Sequence, residues 1–160
     1  MSNQRSVLIR QGFFAGLLGF TTVAAWFAGL NLSAGRSPLF TANVLGSVLL
    51  QEPLDVALQS IDLTRVVVYS ALHLITFLAL GLIAAWLVAL AARGMQLWYV
   101  SLFVVIFVTF HLFGAVQVFA APVQAVLSAT MIWGAGIAAS IVMTAYLQWR
   151  HPEVRARQQW

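Results

Sequence analysis

The chain has 160 residues, of which 62% are hydrophobic and 8% charged, with a mean hydropathy of +0.94. Soluble domains carry about 25% charge, so a soluble globular fold is excluded and an integral membrane protein is expected. The formal net charge of +4 rests on eight basic residues, all arginine. They flank apolar runs and form no basic face interleaved with aromatics, which argues against a nucleic-acid partner. The absence of cysteine excludes disulfides, thiolate metal sites and cysteine nucleophiles.

Residues 1–10 are a short polar start containing Arg5 and Arg10. Residues 12–30 follow as an apolar run of roughly the ~20 residues a bilayer requires, and they read as a first spanning helix. A cleaved signal peptide is the rival reading. The run is long for that purpose, and Ala28-Gly29-Leu30-Asn31 is a poor small-residue cleavage site. Gly12 and Gly16 form a GxxxG step continued by Gly19, which admits close approach of another helix. The expectation is packing within the same bundle, with a dedicated dimer interface as the competing reading.

Residues 31–64 form an insertion outside the membrane core. Gly35-Arg36-Ser37-Pro38 reads as a turn, and Thr41 can cap a short helix through Gln51 with Val44, Leu45, Val48 and Leu49 on one face. A second short turn starts at Pro53, with Asp55 near its positive end. These pieces are expected to lie along the outer membrane surface or tuck partly into the bundle. Asn31-Leu32-Ser33 matches a glycosylation sequon, although a turn leaving the membrane explains it more simply. Asp62 stands where the next helix needs an N-cap, and Arg65 follows at the interface.

The second span covers residues 65–92 and ends at Arg93-Gly94; the third covers 97–121, closed by Pro122; the fourth covers 124–149, before a polar basic tail, 150–160. Arg5, Arg10, Arg93, Arg150, Arg155 and Arg157 then fall on one side, against Arg36 and Arg65 on the other, so the positive-inside rule puts both termini in the cytoplasm. Trp86, Trp98, Tyr99, Tyr146 and Trp149 gather towards the same boundary, as amphipathic rings do.

The four carboxylates, Glu52, Asp55, Asp62 and Glu153, all fall in the insertion or the tail. No intramembrane acid pair exists for a proton relay, which argues against an ion pump. Phosphate loops, GxSxG elbows and HExxH sequences are also missing, so the expectation is a non-enzymatic protein with no metal site. In the fourth span Gly136, Ser140 and Thr144 recur at four-residue steps, near Gly134 and Ala138. Such small residues make a helix-packing seam.

Two histidines lie inside spans. His73 is eight residues past Arg65, about 12 Å deep, and His111 is ten residues before Ala121, about 15 Å deep. They therefore sit at similar depth on consecutive antiparallel helices, where ionisable groups face the protein interior. Three readings compete. The imidazoles satisfy themselves against Tyr69, Ser70, Thr76 or a backbone carbonyl and hold helices together. Alternatively they ligate one haem b iron from opposite sides, with Gly81 and Gly114 making room and Arg36 or Arg65 meeting the propionates. The third reading is a quinone or pigment site. A zinc site is short of ligands.

Ala25-Trp26-Phe27 leading into Ala34-Gly35-Arg36, then Pro38-Leu39-Phe40-Thr41, Leu45-Gly46 and Tyr69-Ser70-Ala71-Leu72-His73, resemble a group of small four-helix bacterial membrane proteins with no assigned activity. In that group the proline follows the arginine directly, whereas Ser37 intervenes here. The resemblance covers about the first half of the chain and implies topology and a bacterial origin.

The expectation is one transmembrane domain, residues 1–160: an all-α integral membrane bundle of four transmembrane helices with a short interfacial helical insertion between the first and second. It is expected in a bacterial inner membrane as a non-enzymatic accessory or structural subunit of a larger complex, its partners being the lipid bilayer and other membrane subunits. A haem-b-binding electron-transfer protein using His73 and His111 is the alternative. A small homo-oligomeric transporter is a weaker one, hinted at only by Gly12 and Gly16.

Overall fold

The computed structural model describes residues 2–91 and 127–151. Every regular element among them is a helix: α1 (Ser2–Ser33), α2 (Phe40–Leu49), α3 (Leu54–Gln59), α4 (Leu63–Ala91) and α5 (Ala129–Arg150). Three are long and apolar enough to cross a membrane, namely Arg5–Ser33, Leu63–Leu90 and Ala129–Arg150. The span expected at residues 97–121 lies outside the described residues, so three of the four expected spans are found.

α1 is longer than its apolar run at both ends. Nothing between Ser2 and Ser33 breaks a helix, so the polar start is part of it, and Asn31 is helical instead of turning out of the membrane. Termination comes from Gly35, at φ +69°: its N–H reaches the Leu32 carbonyl at 3.0 Å and the Arg36 N–H reaches the Asn31 carbonyl at 2.8 Å. These two bonds form a Schellman motif, in which a left-handed residue satisfies the last carbonyls. α2 ends the same way, but with Gln51 at φ 57° in the glycine position. The Gln51 N–H reaches Val48 O at 3.2 Å and the Glu52 N–H reaches Ser47 O at 2.9 Å.

α1 and α4 run antiparallel and pack backbone to backbone. A Cβ on Gly12 would come within 2.7 Å of the Leu82 Cα, one on Gly16 would run into the Phe77 carbonyl, and one on Gly81 would meet the backbone of Gly12 and Gly16. One turn further along α1, Gly19 leaves room for the Phe77 ring and the Met143 sulfur, which joins α5 to the pair. The buried core continues through Ala15, Val23, Leu80, Ala84, Ala85, Ala135, Ala139, Met143 and Leu147. Small residues dominate it because in a bilayer van der Waals fit, not exclusion of water, draws helices together.

α5 also runs antiparallel to α1. Gly134 accommodates the Trp26 ring towards one end. At the other, His151 Nε2 lies 3.0 Å from Oε1 of the buried Gln11. α5 starts at Ala129, later than the apolar pattern suggests, because Ser128 acts as its N-cap and accepts from the Met131 N–H at 3.4 Å.

Three substitutions test this account. Gly16→Leu should destabilise the detergent-solubilised protein by at least ~1–3 kcal/mol, the usual cost of overpacking. Gly29→Leu, with nothing within 4 Å of the added Cβ, should leave the melting temperature nearly unchanged. Gln51→Gly should raise stability by about 1 kcal/mol, because glycine adopts the left-handed conformation without a Cβ clash. Thermal unfolding followed by circular dichroism reads all three.

Candidate functional site

The insertion tucks into the bundle, with Thr41, Asn43, Val44, Leu45, Gly46 and Ser47 of α2 buried, and one of these ties its pieces together. Asn43 on α2 is fully buried. Its side-chain amide donates to the Ala57 carbonyl at 2.7 Å and the Ser60 carbonyl at 3.1 Å, while Oδ1 accepts from the Asp62 N–H at 2.8 Å. Both donors are used, so burying the amide leaves no unmet proton. A single side chain thus fixes α2, α3 and the start of α4.

Two further contacts complete the junction. Gly46 lies against the Arg65 backbone with no space for a Cβ. The Arg65 guanidinium, almost entirely buried, pairs through Nε with Glu52, which the Gln51 turn aims at it. Arg65 Nη1 is buried with no hydrogen-bond partner among the described residues. Thr41, expected as the α2 cap, does not serve there: Leu39 is the N-cap and makes no side-chain cap bond. The Thr41 hydroxyl instead exchanges hydrogen bonds with the Asn31 side chain, 3.0 and 3.3 Å long, and Asn31 is buried. The sequon asparagine is therefore committed to a helix-to-helix contact.

Asp62 does cap α4. Its carboxylate accepts from the Thr64 N–H at 2.7 Å, and its carbonyl takes the first helical bond, from Val66 N–H. The Thr64 backbone N–H is the main reason the Asp62 carboxyl titrates below its ordinary 3.8; desolvation opposes this, and the Thr64 hydroxyl and the Arg65 charge add to it.

With α2 held across the Ser33 end of α1 and the Leu63 end of α4, a cavity of about 350 Å³ remains beneath it. Its walls are Phe20, Val23, Ala24, Phe27 and Ala28 of α1, Tyr69, Ser70 and His73 of α4, and Pro38, Leu39, Thr41 and Ala42 above. From Phe20 to Ala28 is eight residues, about 12 Å of helix. His73 marks the deep end, ten residues into α4 and about 15 Å from its start.

Aromatic rings surround that imidazole. Tyr69 stacks on it with centroids 5.2 Å apart, Phe77 meets it at 4.8 Å and Phe20 at 5.5 Å. The Tyr69 hydroxyl lies 3.5 Å from Nδ1. Nε2 is buried with no hydrogen-bond partner among the described residues. Of the partners expected for it, Thr76 is engaged with the Leu72 carbonyl, at 2.9 Å, and only Tyr69 comes near.

His111 lies outside the described residues. Gly12 and Gly16 stand in the α1–α4 crossing. Gly136 and Ser140 are buried on α5, where the Ser140 hydroxyl donates to the Gly136 carbonyl at 2.8 Å. None of these four touches the cavity. The site given to Gly81 as room for a macrocycle is filled by the α1 backbone. Asn43 was missed in the sequence, where a lone asparagine among apolar residues carries no spacing signal.

Compared with family models, curated proteins and solved structures, the chain matches none of them.

Asn43→Ala should cost about 2–3 kcal/mol, since it strands buried backbone groups. It should also expose the Asp62 and Ala57 regions to proteolysis. Asp62→Ala tests the cap through pH. A carboxyl whose folded pKa is lowered stabilises while ionised; that contribution is full above pH 3.8 and is lost as the pH falls through the lower folded value. The melting-temperature difference between wild type and Asp62→Ala should therefore be present at neutral pH and shrink in acid.

Proposed function

We propose that this chain is a small non-enzymatic subunit of a larger membrane assembly, resident in a bacterial inner membrane with both termini cytoplasmic, and that it contributes a binding cavity instead of a reaction. The observation that carries this reading is the cavity: largely apolar walls with Thr41, Tyr69, Ser70 and His73 among them, beside an imidazole whose Nε2 has no hydrogen-bond partner among the described residues. That combination is what small-molecule sites share.

The arginine distribution supports the orientation. Arg5, Arg10 and Arg150 lie towards the end of the bundle where Gln11 meets His151, and Arg36 and Arg65 lie towards the end that α2 covers. Outward on α5, Ile137, Ile141 and Trp149 recur at multiples of four residues and are mostly exposed, an apolar ridge suited to lipid or to a neighbouring subunit.

Haem b between His73 and His111 is the second reading, favoured by an Nε2 that has no hydrogen-bond partner among the described residues. Two features weigh against it: the space beside Gly81 is occupied, and Arg65 is engaged with Glu52 instead of being available to a propionate.

Extraction from the native membrane in mild detergent tests the main reading. The protein should migrate with larger partners, and a stable solitary monomer would overturn the subunit assignment. An absorption spectrum before and after dithionite separates the second reading, since bound haem gives a Soret band and a sharp alpha band that His73→Ala abolishes.

A further inference from the structure

The contact between Gln11 and His151 sets two arginines at one level. A helix turns about 100° per residue, so in an antiparallel pair the residues just before two that touch fall on the same side of the pair. Gln11 and His151 meet across α1 and α5 at 3.0 Å. Arg10 and Arg150 therefore stand on one side of those helices, and both are exposed. α4 packs on Gly12 and Gly16, round the far side of Gln11 from Arg10, and does not cover them. Four residues further into the apolar length of each helix, the same side carries Phe14, exposed, and Tyr146, half-buried. Two cations thus lie about 6 Å along the helices from two aromatic rings.

The side chains of the protein do not neutralise this region. Of the four carboxylates, Glu52 pairs with Arg65, Asp62 caps α4 and Asp55 starts α3, all at the end that α2 covers. Glu153 is the one left for Arg5, Arg10 and Arg150, so at least two of those charges are unmatched. Neither Arg10 nor Arg150 is in an ion pair among the described residues. The Arg150 guanidinium lies over the Trp149 ring, 5.7 Å from its centroid, and contact through its face leaves the in-plane N–H donors available. Trp149 is 68% exposed, as suits a ring at a membrane boundary.

We infer that Arg10 and Arg150 hold the phosphate of an anionic phospholipid, whose acyl chains run beside Phe14 and Tyr146. Guanidinium groups take phosphate oxygens through paired N–H bonds, and the phosphodiester of a lipid is an anion that brings an apolar body with it. A zwitterionic lipid has the same phosphate but carries its own cation towards the two arginines, which favours the anionic headgroup. The inference rests on the helices crossing a bilayer, and on neither the cavity nor the side of the membrane that this end faces.

Phosphatidylglycerol and phosphatidylcholine with the same acyl chains make the test, titrated into the full-length protein in detergent and counted as bound adducts by native mass spectrometry. Phosphatidylglycerol should bind several-fold more tightly. Arg10→Gln and Arg150→Gln should each weaken it by roughly fivefold, the effect of one arginine near an anionic surface, and weaken phosphatidylcholine less. Both variants should keep the wild-type melting temperature in lipid-free detergent. Arg36→Gln, which removes an exposed arginine at the opposite end, should change neither lipid. Phe14→Ala should weaken both lipids alike.

Binding of neither lipid would overturn the site, and equal binding of the two would overturn the anionic headgroup. An equal loss in Arg36→Gln would show that total charge, not this pair, attracts the lipid; a loss in only one of Arg10→Gln and Arg150→Gln would sink the two-arginine arrangement. Inorganic phosphate at constant ionic strength tests the source. Displacement of phosphatidylglycerol by it would overturn the lipid in favour of a free anion, and retention supports the assignment.

Discussion

The backbone contact between α1 and α4 is the constraint on which the remaining structure depends. Glycines on both helices bring the axes close enough for main-chain atoms to touch, and in a bilayer such fit replaces the missing hydrophobic force. The contact also sets register. With Gly16 against Phe77, Phe20 falls beside His73 and Gly19 falls where Phe77 and Met143 meet. The position of α5 and the level of the cavity floor therefore follow from where the glycines stand.

The polar residues divide between two ways of surviving burial. Asn43 has all its protons accepted by backbone carbonyls, and the Asn31 side chain is matched to Thr41. These are closed networks, and their effect is to fold an apolar insertion back onto the spans. His73 differs: among the described residues one nitrogen has a polar neighbour and the other has none. Among the described residues the buried polar atoms left without a partner are Arg65 Nη1, His73 Nε2 and Thr144 Oγ1, so the unmet polarity is spread over the α2 junction, the neighbourhood of the cavity and α5.

Much of the architecture was legible in the sequence because hydropathy marks spans directly. The apolar runs of α1, α4 and α5 stand out, and Asp62 and Asp55 were readable where helix starts need carboxylates. Boundaries were less so. The run at 12–30 says where lipid contact begins and ends, not where hydrogen bonding does, and α1 continues through polar residues on both sides. The role of Thr41 went astray because a cap and a tertiary partner look alike in sequence. Of the site, His73 and its neighbour Tyr69 could be found from helical spacing. The cavity could not, since it exists only because α2 folds across α1 and α4, and that fold hangs on Asn43, whose partners lie 14 to 19 positions away.

The clasp between Gln11 and His151 has a consequence for the order of the helices. It joins residues 140 positions apart, so α5 leaves the bundle beside the point where α1 passes through it. Neither packing partner of α1 needs to follow it in the chain. What α1 asks of α4 and α5 is a face at the right level, whatever the length of chain between them. The identity of the bundle lies in the side-to-side fit of its helices.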